Sequence, residues 1–143
     1  QTGKTQEVYD DPKNLFVAKF LGTPPISVFE GEVKNGALCI GKDVVLKLKN
    51  AKDGKVYVGV RPEGFIPDAN GPLTCNLSGV DVMGRDVSLV TTHESSLNPV
   101  VRSIVDADAA KNASGITVSY SLKPHKVFLF DKETEERLYF EVN

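Results

Sequence analysis

Gly3-Lys4-Thr5 carry the last three letters of a phosphate-binding loop, in which backbone N–H groups wrap the phosphates and the lysine answers their charge. The motif also needs a glycine five residues earlier, after a buried strand. Only two residues precede Gly3 here, so a solvated turn before a helix is expected instead. His93-Glu94-Ser95-Ser96 offers an imidazole, a carboxylate and hydroxyls. The members of a hydrolytic triad converge from separate elements onto an oxyanion site, which neighbours in one loop do not, so His93 reads as a surface histidine. His125 follows Pro124 with no second ligand nearby, and one imidazole does not make a metal site. Cys39 and Cys75 sit in alternating apolar runs without metal-ligand spacing and read as small buried thiols. Arg61 and Glu63 stand out because they flank Pro62 at the end of an apolar strand. Proline cannot donate to a ladder, so the strand ends there or lies on an edge. The pair is expected to fix the chain where it leaves the sheet, through an ion pair or hydrogen bonds. The alternative use is contact with another subunit.

The elements that position these residues begin with helix. Thr5 can cap a turn over Gln6 to Asp10, and Pro12 suits the start of a second helix through Leu21. Leu15, Phe16, Phe20 and Leu21 form one stripe, ended by Gly22 and Pro24-Pro25. A helix this short must dock on something. From Ile26 the apolar period changes to two. Val33 to Leu38 reads as a hairpin turning on Asn35-Gly36, with Val33 opposite Leu38 and Gly31 opposite Ile40. Val44, Leu46 and Leu48 share a face, as do Val56, Val58 and Val60, with a turn over Asn50 to Gly54 between the two runs. Pro67 to Pro72 is a loop. Leu73, Cys75 and Leu77 are out of phase with Val80 and Val82, which places a bulge at Ser78-Gly79. Gly84-Arg85 closes a further hairpin. Runs at Val100 to Val105, Ile116 to Leu122 and Val127 to Phe130 follow, with a loop or helical turn over Asp106 to Gly115 and a solvated turn over Asp131 to Arg137. So many short strands after one helical opening predict a mainly β chain: one or two small β-barrels with a short N-terminal helical segment.

The 143 residues suit one domain, and 41% apolar with 25% charged is ordinary for a soluble protein. A net charge of −2 gathers no phosphate backbone, and a chain with no Trp offers little stacking surface, so nucleic acid is not an expected partner. No apolar run approaches the roughly 20 residues of a membrane span, and no leader pattern marks secretion.

Glu7-Val8-Tyr9, Pro12, Asn14, Phe16-Val17-Ala18, Phe20-Leu21-Gly22 and Pro24, followed by Val60-Arg61-Pro62-Glu63, Val82-Met83-Gly84-Arg85-Asp86 and Phe128-Leu129-Phe130-Asp131, resemble the carboxy-terminal half of ATP-binding subunits of sugar-type ABC importers, the maltose and glycerol-phosphate transporter ATPase family. Lys4 and Thr5 depart from the family's Thr-Pro, Asp81 falls near its usual Glu, and Glu135 replaces a common Gly. Leu77-Ser78-Gly79 imitates the opening of the ABC signature, but Val80-Asp81 follows where Gly-Gln should.

The resemblance implies a transport-associated (TOBE) domain of OB-like barrel type over residues 26–143, with residues 1–25 a helical linker from an absent nucleotide-binding domain. It implies a non-catalytic regulatory and dimerisation role, with no catalytic or metal residues and no cofactor in this stretch, since ATP and Mg belong to the absent domain. The implied partners are a second copy, the chain's own nucleotide-binding domain, the permease subunits and a regulator of sugar uptake, at the cytoplasmic face of the cell membrane without insertion into it. Arg61, Pro62, Glu63, Gly84 and Asp131 are the structural or dimer-contact candidates. The other reading is a small-ligand module for an oxyanion or sugar, with Ser78, Ser88, Thr91 and Lys123 available but selected by no spacing.

Overall fold

The structure is a computed structural model that describes residues 2–22, 24–111 and 115–142. Helices α1 (Thr2–Asp10) and α2 (Leu15–Phe20) precede strands β1 (Ser27–Lys34), β2 (Ala37–Ile40), β3 (Asp43–Lys49), β4 (Gly54–Val60), β5 (Phe65–Pro67), β6 (Leu73–Met83), β7 (Asp86–Thr92) and β8 (Val101–Asp106). The one-turn helix α3 (Ala107–Ala110) then leads to β9 (Thr117–Leu122), β10 (Val127–Asp131), β11 (Arg137–Leu138) and β12 (Glu141–Val142). The strands form two antiparallel sheets, one in the order β11-β10-β4-β1-β2-β3-β12 and one in the order β5-β9-β6-β7-β8.

Local chemistry sets the register. Asn35 (φ 51°) and Gly36 (φ 80°) supply the two positive dihedrals of a tight hairpin turn, and Val33 faces Leu38 as the alternation requires. The expected bulge in β6 is present, with the register slipping between Leu77 and Gly79. A second bulge in the β2–β3 pair corrects the reading of β3. One residue is inserted between the partners of Leu38 and Cys39, so Val45 and Leu48 are buried while Val44 is 43% exposed.

Two corners carry strands from one sheet to the other. β4 enters β5 through a 3-10 turn at Pro62–Gly64, and β9 enters β10 through one at Pro124–Lys126. The corners lie side by side: Arg61 N donates to Lys126 O (3.0 Å) and Lys123 N donates to Gly64 O (2.9 Å). A local twofold relates them, and each begins with a basic residue followed by proline. A third link comes from the segment after β7. Glu30 N donates to Ser95 O and Leu97 N to Val28 O, both at 2.8 Å, which covers the part of β1 that β2 leaves open. The two sheets thereby curl into a nearly closed small barrel of OB-like type.

Period-two alternation divides the apolar residues between two cores. Val56, Val58 and Val60 of β4 and Val127 and Leu129 of β10 face the barrel interior with Phe65, Leu73, Leu89 and Tyr120. Val28, Phe128 and Phe130 point the other way and pack with Leu15, Ala18 and Ile26 beneath the helix pair. Gly59 belongs to this outer face, where a Cβ would meet Ile26 at 2.8 Å and Phe130 at 3.3 Å.

The helical opening differs from expectation in three ways. α1 begins at Thr2 rather than Gln6, so Thr5 lies inside it, as do Gly3 and Lys4. α2 begins at Leu15 because Asn14, not Pro12, supplies the cap: Asn14 Oδ1 accepts from Val17 N at 2.8 Å. The expected stripe also splits, with Leu15 buried while Phe16 and Phe20 stack on each other 72% and 77% exposed. Pro67 ends β5 rather than opening a loop. The expected turn over Asp106 to Gly115 starts as α3, capped by Asp106 Oδ1 on Ala109 N (2.7 Å), and its residues 112–114 lie outside the described residues.

Candidate functional site

The largest fully buried side chain is Arg61. Position 61 has the parity of Tyr57 and Gly59, so its side chain leaves β4 on the outer face, toward the helices. There the guanidinium meets the ends of both. Nη1 donates to Ala18 O and Leu21 O, each at 3.0 Å, and Nη2 donates to Tyr9 O at 2.9 Å. These carbonyls belong to the last turns of α1 and α2, which have no partner within their own helices and carry the negative end of the helix dipole. One cation therefore caps two helices at once. Its plane also lies 3.9 Å from the Tyr9 ring centroid and 5.5 Å from that of Phe128. Burial pulls the guanidinium below its ordinary 12.5, against the opposing pull of Tyr9, Glu63 and Asp10. Lysine, with its point charge, does not span three divergent carbonyls in this way. Gly22 (φ 102°) lets the chain pass close, since a Cβ there would stand 3.2 Å from Tyr9 Cε1 and 3.6 Å from Arg61 Nη1.

Glu63 reaches the same helix by another route. It accepts from Tyr9 Oη at 2.8 Å and pairs with Lys126 Nζ at 3.2 Å. The Tyr9 phenol is pushed up to about 12, by burial first and then by the Glu63 hydrogen bond and charge. Burial alone would raise Glu63, but hydrogen bonds from its own backbone, Tyr9 and Lys126 hold it below its ordinary value. Arg61 and Glu63 thus fix the chain beside Pro62 as expected, with Tyr9 rather than each other as their common partner. Pro62 is buried at the first position of the 3-10 turn, which suits its fixed φ.

A second arginine completes the clamp, and the sequence reading missed it. Arg137 was placed in a solvated turn, yet its side chain is only 11% exposed. Its Nη1 bonds Asp11 Oδ1 (2.9 Å) and Pro12 O (3.0 Å), which ties the α1–α2 connection to β11. The guanidinium lies 4.7 Å from the Phe128 centroid and 4.4 Å from that of Tyr139. Tyr139 Oη donates to Asp11 Oδ1 at 2.9 Å, and this bond, with the one from Lys13, holds Asp11 below its usual range. Phe128 therefore contacts both arginines. The available signal was a lone Arg two residues before an aromatic in a short apolar run, which is too weak to separate from a surface turn.

The remaining sites are structural. Asp131 Oδ1 accepts from Glu133 N (2.8 Å) and Thr134 N (2.9 Å), closing the turn after β10. The Thr134 and Glu133 amides hold its carboxyl below the ordinary range. Gly84 (φ 67°) makes the β6–β7 turn in the open. His93 Nδ1 accepts from Ser95 N (3.0 Å), and its ring sits edge-on to Phe29 at 5.7 Å. Cys75 is buried, which pushes its thiol up to about 12, and Cys39 is half-buried. Ser88 and Thr91 occupy opposite faces of β7, and Thr91 Oγ1 is spent on Val101 O at 3.0 Å, so the oxyanion candidates do not converge. Among the described residues no group of three or more His, Cys, Asp or Glu is placed to hold a metal ion. No described helix is long and apolar enough to cross a membrane.

Fold and site together define a small OB-like barrel whose buried polar chemistry fastens a helix pair to its outer face. No family model matches the chain. The sn-glycerol-3-phosphate import ATP-binding protein UgpC of Jannaschia sp. (strain CCS1) is 33% identical over 140 residues, covering 96% of this chain and 39% of the relative. The diacetylchitobiose uptake system ATP-binding protein MsiK of Streptomyces coelicolor is 30% identical over 161 residues, covering 96% and 43%. Almost the whole chain is thus homologous to part of the ATP-binding subunits of ABC importers, as the sequence motifs implied, and it spans about two fifths of those relatives. A solved structure of the cytoplasmic molybdate-binding protein ModG overlaps loosely, with a TM-score of 0.46 and 16% identity over 71% of this chain and 93% of that one.

Proposed function

We propose that this chain is a non-catalytic coupling and pairing module of the ATP-binding subunit of an ABC importer for sugars or related solutes. It works at the cytoplasmic face of the cell membrane, joined to a nucleotide-binding domain that holds ATP and Mg, beside the permease subunits and open to a regulator of uptake. The observation that supports this reading is the Arg61 clamp. A single buried cation, bonded to the ends of two helices, makes the helix pair and the barrel one mechanical body. A displacement arriving through the helices then moves the barrel instead of dissipating at a loose joint.

The experiment places Arg61→Met and Arg61→Lys in the natural full-length subunit, assembled with its permease. Nucleotide hydrolysis by the subunit alone and uptake are both read, with sn-glycerol-3-phosphate and diacetylchitobiose as first probes. Basal hydrolysis within about twofold of the parent, with uptake reduced at least tenfold, is expected. Unchanged uptake in an assembled Arg61→Met transporter overturns the coupling role.

A further inference from the structure

β6 is paired on both sides for only part of its length. β9 meets it from Leu73 to Asn76, and the last bond on that side runs from Leu77 N to Ile116 O. β7 continues along the other side to Met83. From Ser78 onward, among the described residues, one edge of β6 is therefore an open row of backbone donors and acceptors.

The side chains on this stretch are as unusual as the edge. Val80 lies opposite Leu89 and Val82 opposite Val87, so both valines share the face that forms the barrel core. Leu89 is 0% and Val87 7% exposed, whereas Val80 is 50% and Val82 77% exposed. The apolar face runs out of cover at the open edge. The devices that blunt edges are also missing, for residues 78–83 contain no lysine and no proline. Elsewhere β11 and β12 are two residues long, and β5 is three residues ending in Pro67.

We propose that a second copy of the chain pairs here, β6 against β6 in antiparallel fashion, extending the five-stranded sheets into one continuous sheet. This rests on the pairing half of the function proposed above and gives it a surface. Symmetry selects the register. A twofold axis perpendicular to a sheet keeps each residue on its own face, so the axis must pass through a residue rather than between two. Centring on Asp81 sets two carboxylates directly opposite each other, which is destabilising. Centring on Val82 carries Val80 against Gly84, beyond the strand. Centring on Val80 pairs Ser78 with Val82 of the partner copy and Gly79 with its Asp81, all inside the strand, and brings the valines of both copies into one apolar row. Asp81 stays on the opposite face, where Arg102 Nη1 already holds it at 3.2 Å. Opposite residues in such a pair have Cβ atoms about 4.5–5.5 Å apart, close enough for a cysteine at position 80 to bridge with its own symmetry mate after a small adjustment.

The test uses the natural full-length polypeptide. Val82→Lys is made alone, and Val80→Cys is made in a Cys39→Ser background. Cys75 is retained, because its buried thiol has a pKa of about 12 and does not compete. Sedimentation should show a dimer whose dissociation constant rises at least tenfold with Val82→Lys at an unchanged melting temperature. Mild oxidation should convert most of Val80→Cys to a disulfide-linked dimer. A dimer untouched by Val82→Lys, with no bridge at position 80, places the interface elsewhere and overturns this inference while leaving the coupling role standing. A bridge from position 80 to a permease subunit assigns the edge to strand addition by that subunit and also overturns it. A monomer at every concentration overturns it together with the pairing half of the proposed function.

Discussion

The outer face of the seven-stranded sheet and the free half of β6 are both places where an apolar sheet surface needs a cover, and the molecule treats them differently. On the first, Val28, Phe128 and Phe130 lie under a helix pair held by Arg61 and Arg137. On the second, Val80 and Val82 lie beside an unpaired backbone edge with nothing described above them. Desolvated charge is spent only where the chain covers itself. A buried cation is worth its desolvation only when its donors are satisfied, and helix ends supply the needed carbonyls in a fixed geometry. The strand edge needs no such device, because a partner's backbone can satisfy it and can also leave. The difference separates a permanent joint from a reversible one.

The contrast can be broken most severely at its centre. Phe128→Ala removes the ring that both arginines contact and opens a cavity in the outer core, so a loss of about 3–5 kcal/mol is expected by denaturant unfolding. Arg61→Met leaves three helix-end carbonyls without their donor, two of them on one helix, and should cost about 3 kcal/mol. Asn14→Ala removes only the α2 cap and should cost about 1 kcal/mol. A smaller effect is expected from Glu63. Its carboxyl is depressed in the folded state, so its contribution is complete above the ordinary value of 4.5 and drains away as pH falls through the lower folded value. Glu63→Gln should therefore flatten the acid limb of the stability profile below about pH 4.5, read as unfolding free energy against pH. Val82→Ser, at the uncovered edge, should change the stability of one copy by no more than about 0.5 kcal/mol.

Much of the barrel was legible in the sequence because period two carries through most strands and turn chemistry marks their ends. The Asn35-Gly36 hairpin, the slip at Ser78-Gly79 and the stop at Pro62 all stand as the residues suggested. β3 was misread because its bulge is opposite Cys39, in a run whose alternation looks unbroken by itself. α2 was started too early because Pro12 and Asn14 are both sound helix openers, and only the fold decides between them. Half of the clamp was visible: Arg61 and Glu63 sit at a strand end, where polar residues usually have a task. Arg137 was hidden because its burial comes from Asp11, Phe128 and Tyr139, which meet only in three dimensions. The open edge was hidden for the same reason, since Val80 and Val82 read as core by their pattern and lack only the strand that would cover them.

Amide hydrogen exchange of Arg61→Met against the parent protein addresses the permanent joint most directly. Protection in α1 and α2 should fall by about 100-fold, while the amides of β1, β4, β6 and β7 keep theirs, because only the cap shared by the two helix ends has been removed. Equal loss of protection in helices and strands, or none in either, would contradict the clamp as the element that joins the helix pair to the barrel.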